Sequence, residues 1–297
     1  MASRGPGGGP GLINPAPRGI FGAKMPGTAL RIVKLAISAG YALLVRPFYV
    51  LFSKHRNRSL IIPYYHAIPA AELPRFAWQM EWLARKTTPV ALGFRGPFEP
   101  RARYSAVTVD DAFRSMIERG VPEMLARGIP FAIFVTTGYL GLTPGWLEDP
   151  GHGAATDAVA TAEALRAIPP EAVTFGSHTV SHPHLPRLSP DDAAREIRAS
   201  KSALESLLGT RIDYFSFPFG DHSEKDVSLC REAGYRQVLT SVFEPAFAPA
   251  DAYVKGRTCV NPSDWRIEFK LKLLGCYAWM PLASALKKGI RRAFSSS

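Results

Sequence analysis

Through the middle of the chain, short apolar runs of strand length alternate with longer stretches whose apolar positions repeat every three to four residues. The runs are LIIPYY at 60–65, SAVTV at 105–109, PFAIFVT at 130–136, AVTFG at 172–176, YFSF at 214–217, RQVLT at 236–240 and RTCV at 257–260. They are rich in β-branched and aromatic residues, which suit strands. Helices are expected between them, at 74–86, 113–127, 190–208, 223–233 and 263–280. The 190–208 stretch carries the most complete signal. Ser189 can cap its start, Pro190 suits its first turn, and Asp191 and Asp192 complement its dipole. Ala193, Ile197, Leu204, Leu207 and Leu208 fall on one face, and Gly209 stops it.

Strands alternating with helices predict an α/β fold around a parallel sheet. About seven such units in this length fit a distorted or incomplete (β/α)7 barrel; a doubly wound open sheet is the alternative. In a barrel, catalytic groups stand where strands end and the following loops begin. The polar residues directly after each run are therefore the ones to examine.

Four runs end in such residues. His66 follows LIIPYY, and Asp110 and Asp111 follow SAVTV. His178, His182 and His184 follow AVTFG, and Pro218, Phe219, Gly220 and Asp221 follow YFSF. Taken singly these are weak signals. A lone Asp-Asp is more often a turn or a cap, and a lone HxxxH seldom binds metal. Their conjunction at four strand ends points to chemistry. Two adjacent carboxylates repel each other unless something positive absorbs the charge. One of them can bind a metal while the other faces a water molecule. His178 and His182 are four apart, which would put both imidazoles on one side of a helical turn. An aspartate with two histidines forms a facial three-ligand set with open positions, suited to a divalent ion that activates water.

The charge is unevenly spread. The net +11 divides into +9 over residues 1–58, which hold no acidic residue, −4 over 59–264, and +6 over 265–297. A nucleic-acid enzyme concentrates positive charge around its groove; a mildly acidic centre argues against a nucleic-acid partner. An anionic membrane surface is the partner the basic ends suggest, with solvated basic tails as the plain alternative. The three cysteines, Cys230, Cys259 and Cys276, have no pair spacing, so neither a disulfide framework nor cysteine catalysis is expected.

The chain divides accordingly. Residues 1–28 are rich in Gly and Pro and are expected to be disordered. Residues 29–58 hold a hydrophobic and basic segment whose uncharged core, Leu35 to Val45, has 11 residues, short of the ~18–20 that span a bilayer. It reads as an interfacial helix, as an atypical signal segment, or as a helix packed on the domain. The barrel occupies 59–262. Residues 263–297 form basic amphipathic helices, with Leu282, Leu286, Ile290 and Phe294 at fourfold spacing and Pro281 dividing the segment. Trp265 and Trp279 are read as core residues before sugar-stacking ones.

The motifs resemble those of the polysaccharide deacetylase family of carbohydrate esterases. Thr108-Val109-Asp110-Asp111 matches its first motif, His178-Thr179-Val180-Ser181-His182 its second, and Phe217-Pro218-Phe219-Gly220 its third. The likeness covers roughly 60–280 and implies a distorted (β/α)7 barrel. It also implies that Asp111, His178 and His182 hold a divalent metal, zinc first and cobalt, nickel or manganese next. Asp110 is then the general base, and the turn at Pro218, Phe219 and Gly220 helps hold the oxyanion through the Phe219 N–H. The implied reaction removes N-acetyl groups from an amino-sugar polysaccharide or oligosaccharide. The basic ends add the expectation of a membrane-associated or cell-envelope setting, with a cytoplasmic one as the alternative.

Two family features are missing. Ser216 precedes the third motif where many members carry an arginine that orients the base. No histidine follows His222, so the late Leu-x-His acid is absent. His66 is the first candidate for the acid and His184 the second. These gaps keep two alternatives open: a non-catalytic carbohydrate-binding protein with a degenerate site, and an esterase or glycolipid deacetylase on the same scaffold.

Overall fold

The computed structural model describes residues 28–44, 59–99, 102–147, 153–243 and 252–280. The disorder expected for 1–28 lies outside them except at Thr28, which begins the first helix, and the amphipathic stripe from Leu282 to Phe294 lies outside them altogether. Helix α1 (Thr28–Leu44) comes first. Strands β1 (Ser59–Ile61) and β2 (Pro63–Tyr65), helix α2 (Leu73–Lys86), and strands β3 (Thr88–Pro89), β4 (Arg103–Ser105) and β5 (Val107–Val109) follow. A wide π-type turn at Met116–Gly120 runs into α3 (Val121–Leu125), so the helix expected at 113–127 is irregular. Then come β6 (Phe131–Val135), α4 (Ala162–Arg166), β7 (Val173–Ser177), α5 (Pro190–Leu208), β8 (Tyr214–Ser216) and α6 (Glu224–Glu232). The last elements are β9 (Gln237–Leu239), β10 (Val254–Lys255), β11 (Thr258–Cys259) and α7 (Arg266–Leu273).

The 60–65 and 105–109 runs each prove to be two strands in line. Their first halves, β1 and β4, form a small parallel sheet with β3 in the order β1-β4-β3; their second halves enter the main one. The main sheet is parallel throughout, in the order β10-β9-β8-β7-β6-β5-β2-β11. Its edge strands are nearly the same piece of chain. β10 pairs with β9, β11 pairs with β2, and only Gly256 and Arg257 separate them. Arg257 N donates to Val242 O on one side and Thr258 N to Ile62 O on the other. One short segment thus bridges both edges and curls the sheet into the expected distorted barrel.

Strand β6 shows why the runs were continuous rather than alternating: all five of its residues are buried. Phe131, Ile133 and Val135 face the helices, packed with Ala193, Ile197 and Leu204 of α5. Ala132 and Phe134 face the barrel interior with Ile62, Tyr214 and Leu239. A parallel sheet covered on both faces reads as an uninterrupted apolar run. Helix α5 keeps its expected bounds, with Ser189 Oγ accepting from Asp192 N and Gly209 at φ 64° closing it. Cys230, Cys259 and Cys276 form no disulfide among the described residues.

Within the segment expected at 263–280, a helix runs over Arg266–Leu273 and the chain then turns at Gly275, φ 77°. Helix α1 packs on it, placing Leu35, Ala39 and Ala42 against Leu271, Cys276 and Tyr277. One side of the described part of this segment therefore packs on the domain. Arg31 joins the two ends of the chain, pairing with Glu268 at 2.6 Å and donating to Ser263 O. Its guanidinium lies 4.5 Å over Trp265, and Trp279 Nε1 donates to Ser38 Oγ, so both tryptophans serve packing. No helix among the described residues is long and apolar enough to cross a membrane.

Candidate metal and catalytic centre

The two aspartates after β5 have opposite surroundings. Both are buried. Asp111 and Ala112 take positive φ, 67° and 54°, so the chain turns sharply and sends the adjacent carboxylates different ways. Asp110 meets Arg257, the residue at the sheet closure. Nη1 donates to Oδ1 at 2.8 Å and Nη2 to Oδ2 at 2.7 Å, a bidentate pair. The guanidinium is itself fully held: Nε donates to Thr240 O, Nη1 to Thr108 Oγ1 and Nη2 to Ser216 Oγ, with the Tyr64 ring 4.5 Å from its carbon. Burial, the largest single influence, would raise the Asp110 pKa, but the Arg257 charge and hydrogen bonds together with the His178 and His66 charges outweigh it and hold the carboxyl well below its usual range.

Asp111 has no such partner. Burial, and then the neighbouring Asp110 charge, push its carboxyl well above the ordinary value. Its Oδ1 is buried without a hydrogen bond. Facing that atom are His178 Nε2 at 3.5 Å and His182 Nε2 at 3.4 Å. Burial depresses both imidazoles, more strongly for His182, where His178 adds to the effect; neutral imidazole is the ligating form. His178 Nδ1 lies 2.7 Å from Ser216 O, which can only accept, so Nδ1 carries the proton and Nε2 presents a lone pair. Asp111, His178 and His182 bring one donor atom each to within 4.8 Å of one another. An uncompensated buried carboxylate oxygen facing two imidazole lone pairs is the donor set a divalent cation fits.

The two histidines do not converge on a helix, contrary to the expectation from their spacing. Residues 178–182 form a tight loop in which Thr179 and His182 both have positive φ, 67° and 59°. Pro183 disfavours a helical conformation at residue 182, which is the local signal that argued against a helix. The loop is pinned from three sides. Glu196 on α5 accepts from Val180 N, Ser181 N and Ser181 Oγ. Thr179 Oγ1 accepts from His182 N at 3.0 Å. Gly138 N donates to Val180 O, and a Cβ at Gly138 would sit 2.7 Å from that same oxygen, so the approach requires glycine.

Phe219 stands at the apex of the Pro218–Gly220 turn with φ 58°. Its ring meets His182 edge-on at 4.5 Å, while Trp146 stacks on His182 at 4.5 Å from another loop. His184 stacks on Phe219 at 4.1 Å and pairs with Asp221 at 3.3 Å. His66 is exposed, and its charge is felt at both Asp110 and His182, which puts it beside the centre. Every candidate named from the sequence thus gathers at one end of the barrel. Sequence reasoning missed Arg257, Glu196 and Trp146. The strand run beginning at Arg257 was visible, but its pairing with Asp110 depends on how the sheet closes.

The sequence model of the family described as "Polysaccharide deacetylase" matches residues 99–238, a span holding both aspartates, both histidines and the Pro218 turn. Over that span, a little under half of its length, the chain matches the polysaccharide deacetylase family. YxkH of Bacillus subtilis, a protein named for this family, is 23% identical over 211 residues, covering 67% of this chain and 70% of its own. Among solved structures, IcaB from Ammonifex degensii superposes with a TM-score of 0.61 at 22% identity, over 73% of this chain and 97% of that one. The Streptococcus pyogenes deacetylase PplD, solved with acetate, gives 0.59 at 19%, over 73% and 99%. These likenesses bear out the distorted (β/α)7 barrel. The polysaccharide deacetylase family is metal-dependent, and Asp111, His178 and His182 are the candidate metal site of this chain.

Proposed function

We propose that this deacetylase-family protein hydrolyses the N-acetyl groups of an amino-sugar polysaccharide or oligosaccharide. The observation that carries the reading is the division of labour between the two aspartates. One is neutralised by Arg257 and the other left facing two imidazoles.

Zinc is the ion we favour, because a compact His-His-Asp set with neutral imidazoles suits it. When bound, it would polarise the acetyl carbonyl and make water acidic enough to attack. Asp111, His178 and His182 would hold it. Asp110, kept ionised by the Arg257 fork, would accept the proton as the water oxygen bonds to the carbonyl carbon. The Phe219 N–H would donate to the developing oxyanion. As the carbon–nitrogen bond breaks, His66 would give a proton to the leaving amine, freeing acetate; His184, held by Asp221, is the second candidate.

Arg257 also answers one of the two gaps behind the non-catalytic reading, the missing arginine; the absent late histidine is the other. The cell envelope is the setting we propose, since polymers of this kind lie there.

Acetate release from N-acetylglucosamine oligomers tests the reading. Asp110→Asn should keep the metal and lose about 10²–10⁴-fold in turnover, the scale of a general base. His66→Gln should fall in the same range with metal retained. Wild-type rates in both Asp110→Asn and His178→Ala would refute the assignment.

A further inference from the structure

Helix α1 is amphipathic in the reverse sense of an ordinary surface helix. Its two cations, Arg31 and Lys34, lie on the half-buried side with Leu35, Ser38, Ala39 and Ala42, against the α7 segment. Its outward face is Leu30, Ile32, Val33, Ile37, Leu43 and Leu44, each between 46% and 77% exposed. Ala29 and Ala36 fill the space between them. That face carries no charge, whereas surface helices normally turn their charged side to water. A contiguous apolar face of this kind marks a place where something else binds.

We propose that this face docks on an anionic phospholipid bilayer, with α1 lying in the interface and the barrel held against the membrane surface. Three observations select this occupant. Seventeen residues of helix span about 25 Å at 1.5 Å per residue, less than the ~30 Å hydrocarbon core, so the helix lies along the surface. The chain around α1 is cationic without exception: residues 1–58 hold nine Lys/Arg and no acidic residue, and Arg46, Lys54, Arg56 and Arg58 follow the helix closely in sequence. Anionic headgroups attract such a segment, while insertion of the apolar face supplies the second contribution that stable attachment needs. A second copy is disfavoured by the same charges, because pairing two α1 faces would bring two +9 segments together. The Arg31–Glu268 pair and the Trp279–Ser38 hydrogen bond fasten α1 to the barrel, so docking α1 docks the enzyme.

The proposal does not depend on the deacetylase reading, and its test keeps the two apart. The full chain is floated with vesicles of phosphatidylcholine alone or with 30% phosphatidylglycerol. The wild type should float with the anionic vesicles, less so as salt rises. Val33→Glu/Ile37→Glu should lower that partitioning about tenfold or more, with an unchanged thermal midpoint and near-ultraviolet dichroism, since both positions face solvent. His178→Ala, which removes the metal site, should float like wild type. Equal flotation of the double variant, or none by the wild type, would overturn the proposal. So would a wild-type dimer in light scattering that the double variant abolishes and anionic vesicles do not displace.

Discussion

The two sides of the centre were built from adjacent residues and ended in opposite states. On the Asp110 side every strong donor and acceptor is matched: the Arg257 fork satisfies the carboxylate and is itself fixed by Thr240, Thr108 and Ser216. On the Asp111 side a carboxylate oxygen and His182 Nδ1 are buried without hydrogen-bond partners. Buried polar atoms are seldom left so, because each costs about 1–3 kcal/mol. A fold that pairs one carboxylate with a guanidinium and turns the other toward two imidazoles separates two tasks: the closed side holds a charge state, and the open side gathers donor atoms suited to a cation.

The open side should respond most to its ion. Zinc at a hundred times its dissociation constant should stabilise the protein by about 2.7 kcal/mol, read as a rise in thermal midpoint. His178→Ala should abolish both that rise and stoichiometric zinc in elemental analysis. A variant that still gains stability from zinc would place the ion elsewhere.

Breaking the closed side should do something different. Arg257→Met leaves Asp110 buried without its counter-charge, a loss of about 3–5 kcal/mol for a severed buried pair. Arg257→Lys keeps the charge but not the two-pronged geometry, and should be intermediate in stability and turnover. Ser216→Arg/Arg257→Ser returns a guanidinium to where the family resemblance expects one, within reach of the same carboxylate. Partial recovery of turnover over Arg257→Met would show that the guanidinium acts through Asp110. Denaturant unfolding and acetate release measure these effects, and loss of zinc in Arg257→Lys would argue that the two sides are not separable.

These contrasts also show what could be read without a structure. The barrel was legible because its strands are buried on both faces, and the ligand residues because they follow strand ends directly. Arg257 was not, because its partner is 147 residues away and the contact exists only once β10 and β11 join the sheet's two edges. Such pairings leave no periodicity in the sequence. The HxxxH spacing misled for a local reason: it is compatible with a helix, but Thr179 and His182 adopt left-handed conformations, and the one sequence signal against a helix was Pro183 beside His182.

The smallest expected effect bears on what keeps the open side in shape. Glu196 lies outside the donor set, yet its carboxylate accepts two backbone N–H groups and a hydroxyl from Val180 and Ser181, midway between the two histidines. The loop it grips holds two non-glycine residues at positive φ, a conformation costing of order 1–3 kcal/mol each that persists only while its surroundings impose it. Glu196→Gln keeps the size of the side chain but gives up charge-assisted acceptance, so the loop should sample conformations in which His178 and His182 diverge. Supporting residues of this kind typically contribute about 10–100-fold to metal affinity, and the lower end fits a residue outside the donor set. Zinc affinity measured by competition with a chelator should therefore fall about tenfold, while turnover at saturating zinc stays near wild type and the Asp110–Arg257 pair is undisturbed. Unchanged affinity would mean that the Thr179 hydroxyl and the Gly138 contact suffice to set the loop; a loss of turnover at saturating zinc would mean that the two sides of the centre communicate.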